Sequence, residues 1–281
     1  MEIVIEIEGW WLMPTSDTGG ALEEIQIFAN SPYSVQVFEV LTDGPTTGRA
    51  LAEQTGASRS TVSRILTKGE SRGWIDSEGS QYELTDMGET MTNEFHDFLQ
   101  TVKGIRHLGE MIRFLPPPAR ELDPRYLRDA DIITPTETNP VKPFDYLAEW
   151  IRAANKKRSL ARLAVSRFVE LIHDQSVQGQ LDTESVIEAS WFDTLGAEPK
   201  QIPIWQTRAE RGDVLVYDGD VPISFHIIDR TVGFWLSEDD QNGVEGLVVT
   251  DDPAVVSWAR SLYEDYRAEA KPLNPTMLPE A

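Results

Sequence analysis

The sequence predicts an α+β protein with a helical N-terminal part and a C-terminal α/β part built around a mixed sheet. Three observations support this prediction. The chain has 281 residues, 40% of them hydrophobic, which is enough for about two domains. Apolar residues recur at helical spacing early in the chain, whereas short β-rich apolar runs separated by turns dominate the later part. The triplet Pro116-Pro117-Pro118 stands between the two parts.

The composition excludes several classes of site. Acidic residues outnumber basic ones by 47 to 25, giving a formal net charge of −22, and they are spread along the whole chain. This pattern is typical of a protein that works in concentrated salt. No cysteine is present, which excludes disulfides, thiolate metal sites and cysteine nucleophiles. We find neither a run of roughly 20 apolar residues nor a signal-peptide pattern, so we expect a cytoplasmic protein without a membrane partner.

The N-terminal part predicts a succession of short helices. Residues 1–20 are expected to be a disordered extension, of which residues 1–12 have an unusual composition for a native start. The apolar residues Leu22, Ile25 and Phe28 predict a helix that ends near Pro32, and positions 35, 38 and 41 predict a second. Either Thr46 or Thr47 can cap a third helix, which ends at Gly56. Residues 21–86 are thus expected to form one domain.

The fourth predicted helix, which begins at Ser58, has two chemically different faces. Val62, Ile65 and Leu66 share an apolar face, and the segment 58–73 carries four cations against one acid, Glu70. Arginine can pair bidentately with guanine, hydroxyls adapt to base edges or phosphates, and a helix N-terminus offers N–H groups to phosphate. The third and fourth helices therefore predict a DNA-binding helix-turn-helix. The expected DNA contacts on this helix are Ser58, Arg59, Ser60, Thr61, Ser63, Arg64 and Lys68.

A hairpin follows in the position of a wing. Two short β segments, 74–76 and 81–84, flank a turn that contains Gly79 and Ser80, and Thr85 is a candidate N-cap for the next helix. The wing carries Glu78 and Asp76, which repel DNA. We therefore expect contacts to the DNA backbone through Gly79 and Ser80, or hardly any contact. Helix-turn-helix geometry also occurs as a packing unit, so a role in protein–protein contact is an alternative.

This succession resembles the archaeal winged-helix regulators of the group named for methanogenesis regulation, which abounds in haloarchaea. The segments that carry the resemblance are LEEIQIFANSPYSVQVFEVL, TVSRIL, the GW before the wing, YELTDMGE, YDGDVPISFHIID and GLVVTDDPAVVSWARSLYEDYR. The resemblance covers roughly residues 22–270 and is most specific in the helix-turn-helix. It implies an N-terminal winged helix-turn-helix domain that binds operator DNA and a separate C-terminal regulatory domain.

Residues 87–115 are predicted to form a connecting helix. Its apolar residues are spaced in a heptad rhythm, which is typical of helices that pair. Two recognition helices must reach half-sites about 34 Å apart to read a palindrome, so we expect a homodimer. The alternative is a helix that packs on its own domain. The expected dimerisation residues are Met91, Phe95, Phe98, Val102, Ile105 and Ile112.

Residues 120–270 are predicted to form the C-terminal domain, followed by a tail at 271–281. Apolar runs predict strands at 131–134, 160–165, 202–205, 214–217, 223–228, 232–236 and 246–250. Helices are predicted at 143–154 and 168–177, and a closing helix follows Pro253 with Asp251 or Asp252 as its cap. Alternating helices and strands followed by a meander indicate a mixed sheet with helices against it.

The C-terminal part shows no catalytic motif. Domains of the family that the chain resembles are distantly similar to the phospholipase D fold, whose enzymes need a His-x-Lys motif, and none occurs here. His226 is expected to be a core residue. Phosphate loops, nucleophile elbows and metal-spaced histidine pairs are also missing from the sequence, so we expect no catalytic residues, metal or cofactor.

Two residue sets leave a binding role open. The aromatic residues Trp191, Trp205, Tyr217, Phe225, Trp235 and Trp258 can line a pocket, although ordinary core packing is the simpler interpretation. A basic stretch is interpreted as a solvated helix-and-loop surface, with an anionic ligand, the DNA backbone or acids of a partner as alternative contacts. It comprises Arg152, Lys156, Lys157, Arg158, Arg162 and Arg167.

The sequence therefore predicts a transcriptional regulator that binds specific double-stranded DNA as a homodimer, with a non-catalytic C-terminal domain that senses a ligand or a partner. One alternative is a hydrolase of a small phosphorylated or nucleotide substrate with an attached winged helix. Another is a winged helix used only for protein–protein contact. Neither the operator nor the identity of an effector follows from the sequence.

Overall fold

The computed structural model describes residues 15–195, 199–237 and 243–278. The chain divides between Leu99 and Gln100 into two compact units, unit 1 before this point and unit 2 after it. Helix α1 begins at Thr15, inside the extension expected to be disordered, and residues 1–14 of that extension lie outside the described residues. Among the described helices, none is long and apolar enough to cross a membrane.

Unit 1 contains the predicted helices and hairpin. Its elements are α1 (Thr15–Ala29), α2 (Pro32–Thr42), β1 (Thr46–Thr47), α3 (Gly48–Thr55), α4 (Arg59–Ser71), β2 (Ile75–Glu78), β3 (Gln81–Leu84) and the first part of α5 (Asp86–Leu108). Strand β1, which was not predicted, pairs with β3, so the hairpin becomes a three-stranded sheet in the order β1-β3-β2. The winged helix-turn-helix fold is confirmed.

An aromatic cluster forms the centre of unit 1. The ring of Phe28 lies 4.6 Å from that of Phe95 and 5.4 Å from that of Trp74. The predicted apolar face of α1 is wrong in part, because Leu22 and Ile25 are exposed while Ile27 and Phe28 are buried. Only the last turn of α1 reaches this core, so its earlier residues lack a surface to pack on.

The helix ends of unit 1 follow the local sequence signals. Thr47 caps α3 by accepting a hydrogen bond from the Ala50 N–H at 3.2 Å, and Gly56 ends that helix at a φ of 70°. Thr85 accepts from the Gly88 N–H at 3.0 Å at the start of α5. A Cβ on Gly88 would lie 1.9 Å from the Trp74 carbonyl oxygen. Only glycine therefore lets α5 begin this close to the hairpin.

Unit 2 is built on a mixed sheet, as predicted, and the sheet has eight described strands. The strands are β4 (Asp131–Ile133), β5 (Lys156–Ala161), β6 (Asp182–Glu188), β7 (Val214–Tyr217), β8 (Phe225–Ile228), β9 (Thr231–Leu236), β10 (Gly246–Thr250) and β11 (Lys271–Pro272). The sheet order is β11-β7-β6-β5-β8-β9-β10-β4. Three neighbouring strands, β5, β6 and β7, are parallel and the other pairings are antiparallel.

Helices cover both faces of this sheet. They are α6 (Pro117–Arg120), α7 (Lys142–Arg152), α8 (Ser166–Val177), α9 (Ala189–Phe192), α10 (Ile202–Arg211) and α11 (Pro253–Glu269). One face buries alternate strand residues such as Leu160, Val186 and Phe225 against α11. Helices α7 and α8 pack on the opposite face, where Ile228 and Leu247 lie in their core.

Two strand predictions in unit 2 are wrong, and two strands, β6 and β11, were not predicted; β11 lies in the segment expected to be a tail. The run at 202–205 is the first turn of α10, which Pro203 opens. Strand β5 covers 156–161 rather than 160–165, so its first half consists of charged residues. Strand β6 was missed because its alternating polar residues, including Thr183 and Ser185, read as a surface segment although both are buried.

Replacing Asp252 with alanine is expected to lower the free energy of unfolding by about 1 kcal/mol. The Asp252 carboxylate caps α11 by accepting from the N–H groups of Ala254 at 2.9 Å and Val255 at 3.4 Å. Chemical denaturation followed by circular dichroism measures the change. The exposed neighbour Asp251 is the matched control, and Asp251→Ala is expected to leave stability unchanged. Equal losses in both variants would show that the cap assignment is wrong.

Candidate functional site

The two faces of α4 are arranged as the sequence predicts. Val62, Ile65 and Leu66 are buried in the core of unit 1. The opposite face is open to solvent and carries the cations Arg59, Arg64 and Lys68 together with hydroxyl side chains. The exposed residues of this face are Arg59, Ser60, Ser63, Arg64, Thr67 and Lys68, whereas Thr61 is half-buried. We call these six residues the α4 face.

The cations of the α4 face, Arg59, Arg64 and Lys68, form no ion pair within the described parts of the chain. Arg72, the fourth cation of the segment, differs because its Nε lies 2.8 Å from Glu24 Oε2. The nearby Glu53 forms its ion pair with Arg49, whose Nε lies 2.8 Å from Glu53 Oε1. Arg49, and to a smaller extent the charge of Arg59, lower the pKa of Glu53. The positive charge of this face is therefore available to an external anion.

Hydroxyl groups cluster at the N-terminus of α4. The Ser58 side chain accepts from the Thr61 N–H at 3.1 Å, which confirms the predicted cap. Its oxygen also lies 2.9 Å from the hydroxyl oxygens of both Ser60 and Thr61. Three hydroxyls and the positive end of the helix thus meet at one exposed point, a suitable environment for a phosphate.

The hairpin between β2 and β3 has an acidic tip. Gly79 and Ser80 form its exposed turn, and Gly79 adopts a φ of 63° that favours glycine. Glu78 and Asp76 are exposed beside them. A backbone contact through the turn remains the prediction for this element, since its carboxylates oppose a closer approach to DNA.

The predicted dimerisation residues separate into two groups. Phe95 stacks on Phe28 in the core of unit 1 and Met91 packs against the same core, so neither is offered to a second chain. Phe98 and Ile105 are 56% and 44% exposed on α5, and Val102 is half-buried. The predicted helix ends at Leu108 instead of continuing to about 114.

Ile112 consequently leaves the heptad pattern. A 3-10 turn, Gly109–Phe114, follows α5, and Gly109 adopts a φ of 52° at the point where the helix stops. Ile112 is exposed, but it does not continue the helical face that Phe98 and Ile105 share. The left-handed glycine is the physical reason for this difference from the prediction.

A cavity of about 420 Å³ lies in unit 2 on the sheet face covered by α7 and α8. Its apolar walls include Phe144, Phe168 and Trp235, whose ring centroids lie 5.1 to 6.5 Å apart. Of the six aromatic residues considered for a pocket, Trp205 and Trp235 line this cavity. The other four pack in or against the hydrophobic core.

A row of polar side chains forms the floor of the cavity. Ser159 on β5 is paired in register with His226 on β8 and with Ser185 on β6, and all three line the cavity. Lys157, two residues earlier on β5, points to the same face and donates to the Ser159 hydroxyl at 2.7 Å. The Ser159 and Ser185 hydroxyls lie 3.1 Å apart. We call Lys157, Ser159, Ser185 and His226 the polar floor.

Burial changes the acid–base properties of the polar floor. Lys157 is 1% exposed, and this burial, together with the nearby Arg208 charge, lowers the pKa of its amine to about 7. Burial lowers the pKa of His226 well below its usual range, and the nearby charge of Lys157 lowers it further. The imidazole is therefore neutral. Arg208 also lies beside the cavity, where its charge is balanced by Asp213 at 2.8 Å.

The prediction that the basic stretch forms a solvated surface is therefore wrong for Lys157. Lys157 lies inside unit 2, whereas Arg158 and Arg167 are paired with Asp182 at 3.1 Å and Asp145 at 2.7 Å. Alternation along β5 separates Lys157 from Arg158 on opposite sides of the sheet. Sequence reasoning placed His226 correctly in a strand but missed its position on the cavity. Within the described residues, no group of three or more histidine, aspartate or glutamate side chains is placed to hold a metal.

Comparison with known families finds a match in the N-terminal part and another in the C-terminal part of the chain. Residues 22–107 match the model described as the HVO_A0261 N-terminal domain. Residues 140–269 match the middle domain of the methanogenesis regulatory protein FilR1. The predicted resemblance is confirmed by these two matches. A search of curated proteins gave no match.

Solved structures give weaker similarities. TrmBL2, an archaeal chromatin protein, is 15% identical over 89% of this chain and 99% of its own, with a TM-score of 0.39. Nuc, a phospholipase D family member from Salmonella typhimurium, is 13% identical over 52% and 98%, with a TM-score of 0.40. The homodimeric winged helix-turn-helix domain of Mb0332 from Mycobacterium bovis is 21% identical over 36% and 94%, with a TM-score of 0.28. We draw no functional conclusion from similarities of this size.

Substituting Lys157 with methionine is expected to change the pH dependence of stability. The folded chain has a Lys157 pKa of about 7 against an ordinary value of 10.5, so between these values the unfolded chain binds one more proton. The stability of the unsubstituted protein should therefore rise with pH across this window, relative to the variant, by about 1 kcal/mol per pH unit.

Denaturation of both proteins between pH 6 and 10 measures this difference. The charged or titratable groups that interact electrostatically with Lys157 are Arg158, Arg208, Asp213 and His226, and all four are retained in the variant. Their contributions therefore largely cancel in the comparison. Parallel stability curves for the two proteins would contradict the burial of an ionisable amine at this position.

Proposed function

We propose that this chain, an archaeal winged-helix regulator resembling the methanogenesis-regulator family, is a homodimer that binds specific double-stranded DNA sequences and regulates transcription. The family matches over residues 22–107 and 140–269 support the general assignment. The observation that carries the DNA contact is the α4 face, whose three cations are exposed and form no ion pair in the described chain.

The dimensions and chemistry of α4 suit the major groove. An α-helix with its side chains is about 10–12 Å across, and the groove is about 12 Å wide. Arg59 and Arg64 lie on the exposed side, where a planar guanidinium can pair with guanine O6 and N7. Ser60 and Ser63 add adaptable hydroxyls, and the cluster at Ser58 suits a phosphate.

The net charge of −22 opposes any approach to DNA. Concentrated salt reduces this repulsion, because the Debye length falls to about 3 Å at 1 M ionic strength. Side chains in direct contact still interact at that distance, while remote acids are screened. Release of counterions contributes little under such conditions, so we expect hydrogen bonds and apolar fit to supply most of the affinity.

Unit 2 is the proposed sensing part of the regulator. It contains a cavity of about 420 Å³ that opens to solvent, within the usual size range of small-molecule sites. The aromatic walls and the buried polar floor fit a ligand that combines an apolar body with a polar group. A ligand in this cavity, rather than catalysis, is the role we assign to the C-terminal half.

Arg64→Ala is expected to weaken binding to the preferred DNA sequence by about 1–3 kcal/mol and to relax the preference at one base pair. The DNA is selected from a random pool by the protein itself, and affinity is measured by fluorescence anisotropy in KCl of about 1 M. Arg260→Ala is the matched control, because Arg260 is an exposed helical arginine on α11 in unit 2. Equal affinity of Arg64→Ala and the unsubstituted protein would remove Arg64 from the interface.

Ile105→Glu is expected to disrupt the proposed homodimer. Ile105 is exposed on the same face of α5 as Phe98, and a glutamate there would place two like charges opposite each other across the pairing helices. Sedimentation velocity should show a dimer for the unsubstituted chain and a monomer for the variant. Val177→Glu, at an exposed valine ending α8, is the control and should remain dimeric. A dimer for both variants would mean that the contact lies elsewhere.

A further inference from the structure

The polar floor leaves one buried hydrogen-bond donor without an acceptor. Trp235 donates its Nε1–H to His226 Nε2 at 3.2 Å, and an indole nitrogen can only donate. The other ring nitrogen, Nδ1, must therefore carry the proton when the imidazole is neutral. His226 Nδ1 is buried and has no hydrogen-bond partner in the structure, and His226 is 9% exposed. A buried donor without an acceptor destabilises the fold, so an acceptor on a ligand would be favoured there.

The amine on the same floor has no counter-ion when it is protonated. Lys157 makes its hydrogen bond to the neutral Ser159 hydroxyl and no ion pair in the described chain. Arg208, the other buried cation, already has Asp213 at 2.8 Å and also donates to Ser185 at 3.3 Å. The buried positive charge without a counter-ion beside the cavity is therefore that of protonated Lys157, which matches one negative charge on a ligand, while Arg162 lines the cavity from an exposed position.

The walls of the cavity indicate the chemistry of the ligand beyond its charged group. Phe144, Phe168 and Trp235 form a three-ring surface, and Ile172 and Ile223 extend the apolar lining. Such walls suit a flat hydrocarbon body and offer few partners to a sugar or a polyphosphate. A carboxylate can accept from an ammonium and an imidazole N–H together, since its two oxygens provide several acceptor positions.

We infer that the cavity of unit 2 binds a small monocarboxylate with an aromatic body, its carboxylate held by Lys157 and His226 Nδ1–H and its ring against Phe144, Phe168 and Trp235. This inference rests on the proposed sensing role of unit 2. It adds a chemical class of ligand and two specific recognition groups. The effector of the regulator is accordingly an aromatic acid.

Calorimetric titration of the full chain with phenylacetate tests the inference. Phenylacetate should bind and raise the melting temperature, whereas phenylacetamide, its neutral counterpart of the same shape, and inorganic phosphate should not. Lys157→Met should weaken phenylacetate binding at least tenfold. Arg158→Met is the matched control, because Arg158 lies on the same strand with its side chain on the opposite face and should retain full affinity.

A second readout needs no substitution at the floor. In protein labelled with nitrogen-15 at histidine, the Nδ1–H proton of His226 should shift downfield when phenylacetate is added, as a donor does on meeting a charged acceptor. Equal binding of phenylacetate and phenylacetamide, binding of phosphate instead, or an unchanged His226 resonance under saturating phenylacetate would overturn the inference.

DNA binding is measured on the same preparation, so the two proposals can fail separately. Intact DNA binding without phenylacetate binding would remove the ligand class and leave the regulator. Phenylacetate binding without DNA binding would remove the proposed function and leave the cavity as a carboxylate site.

Discussion

The burial of one apolar stripe on α4 decides which of its residues are exposed and therefore available for the proposed DNA contact. Val62, Ile65 and Leu66 are all buried, and each such side chain contributes roughly 1.5–3 kcal/mol to folding. Together they outweigh any single contact that the opposite face can make, so the core of unit 1 fixes the rotation of the helix about its axis. Arg59 and Arg64 are consequently exposed by the packing of their neighbours and need no ligand to hold them outward.

In the sheet of unit 2, too, the packing of one face determines what the other face can carry. Alternate residues of β5, β6 and β8 bury a largely apolar surface against α11, which supplies much of the driving force for folding. Glu184 of β6 is a polar exception on this face and accepts hydrogen bonds from Tyr263 and Arg267 of α11. The opposite face can therefore retain Lys157, Ser159 and Ser185, although transfer of an ammonium to the interior costs roughly several kcal/mol. Buried charge without an ion pair is weak evidence for stability and stronger evidence for a binding site.

Local sequence signals made the helix-turn-helix predictable. Features that depend on long-range packing could not be predicted in the same way. The caps Thr47 and Ser58 and the stop at Gly56 act within one turn of the chain, and each lies where the sequence indicates. Strand β6 was missed because its hydroxyl residues are buried by long-range packing, as where Ser185 contacts Ser159 of β5 and Arg208 of α10. Lys157 likewise reads as a surface residue in isolation, since nothing local shows that its neighbours enclose it. The cavity depends on the order of the strands in the sheet, and the hydrophobic pattern of the sequence does not predict that order.

Methylation interference on the selected DNA tests most directly whether α4 reads the major groove. Methylation of guanine N7 blocks the acceptor that an arginine would use in that groove. The account predicts that N7 methylation at one or two positions in each half-site abolishes binding of the unsubstituted protein, and that Arg64→Ala loses sensitivity at one of them. Interference confined to adenine N3 in the minor groove, or an identical guanine pattern for both proteins, would contradict it.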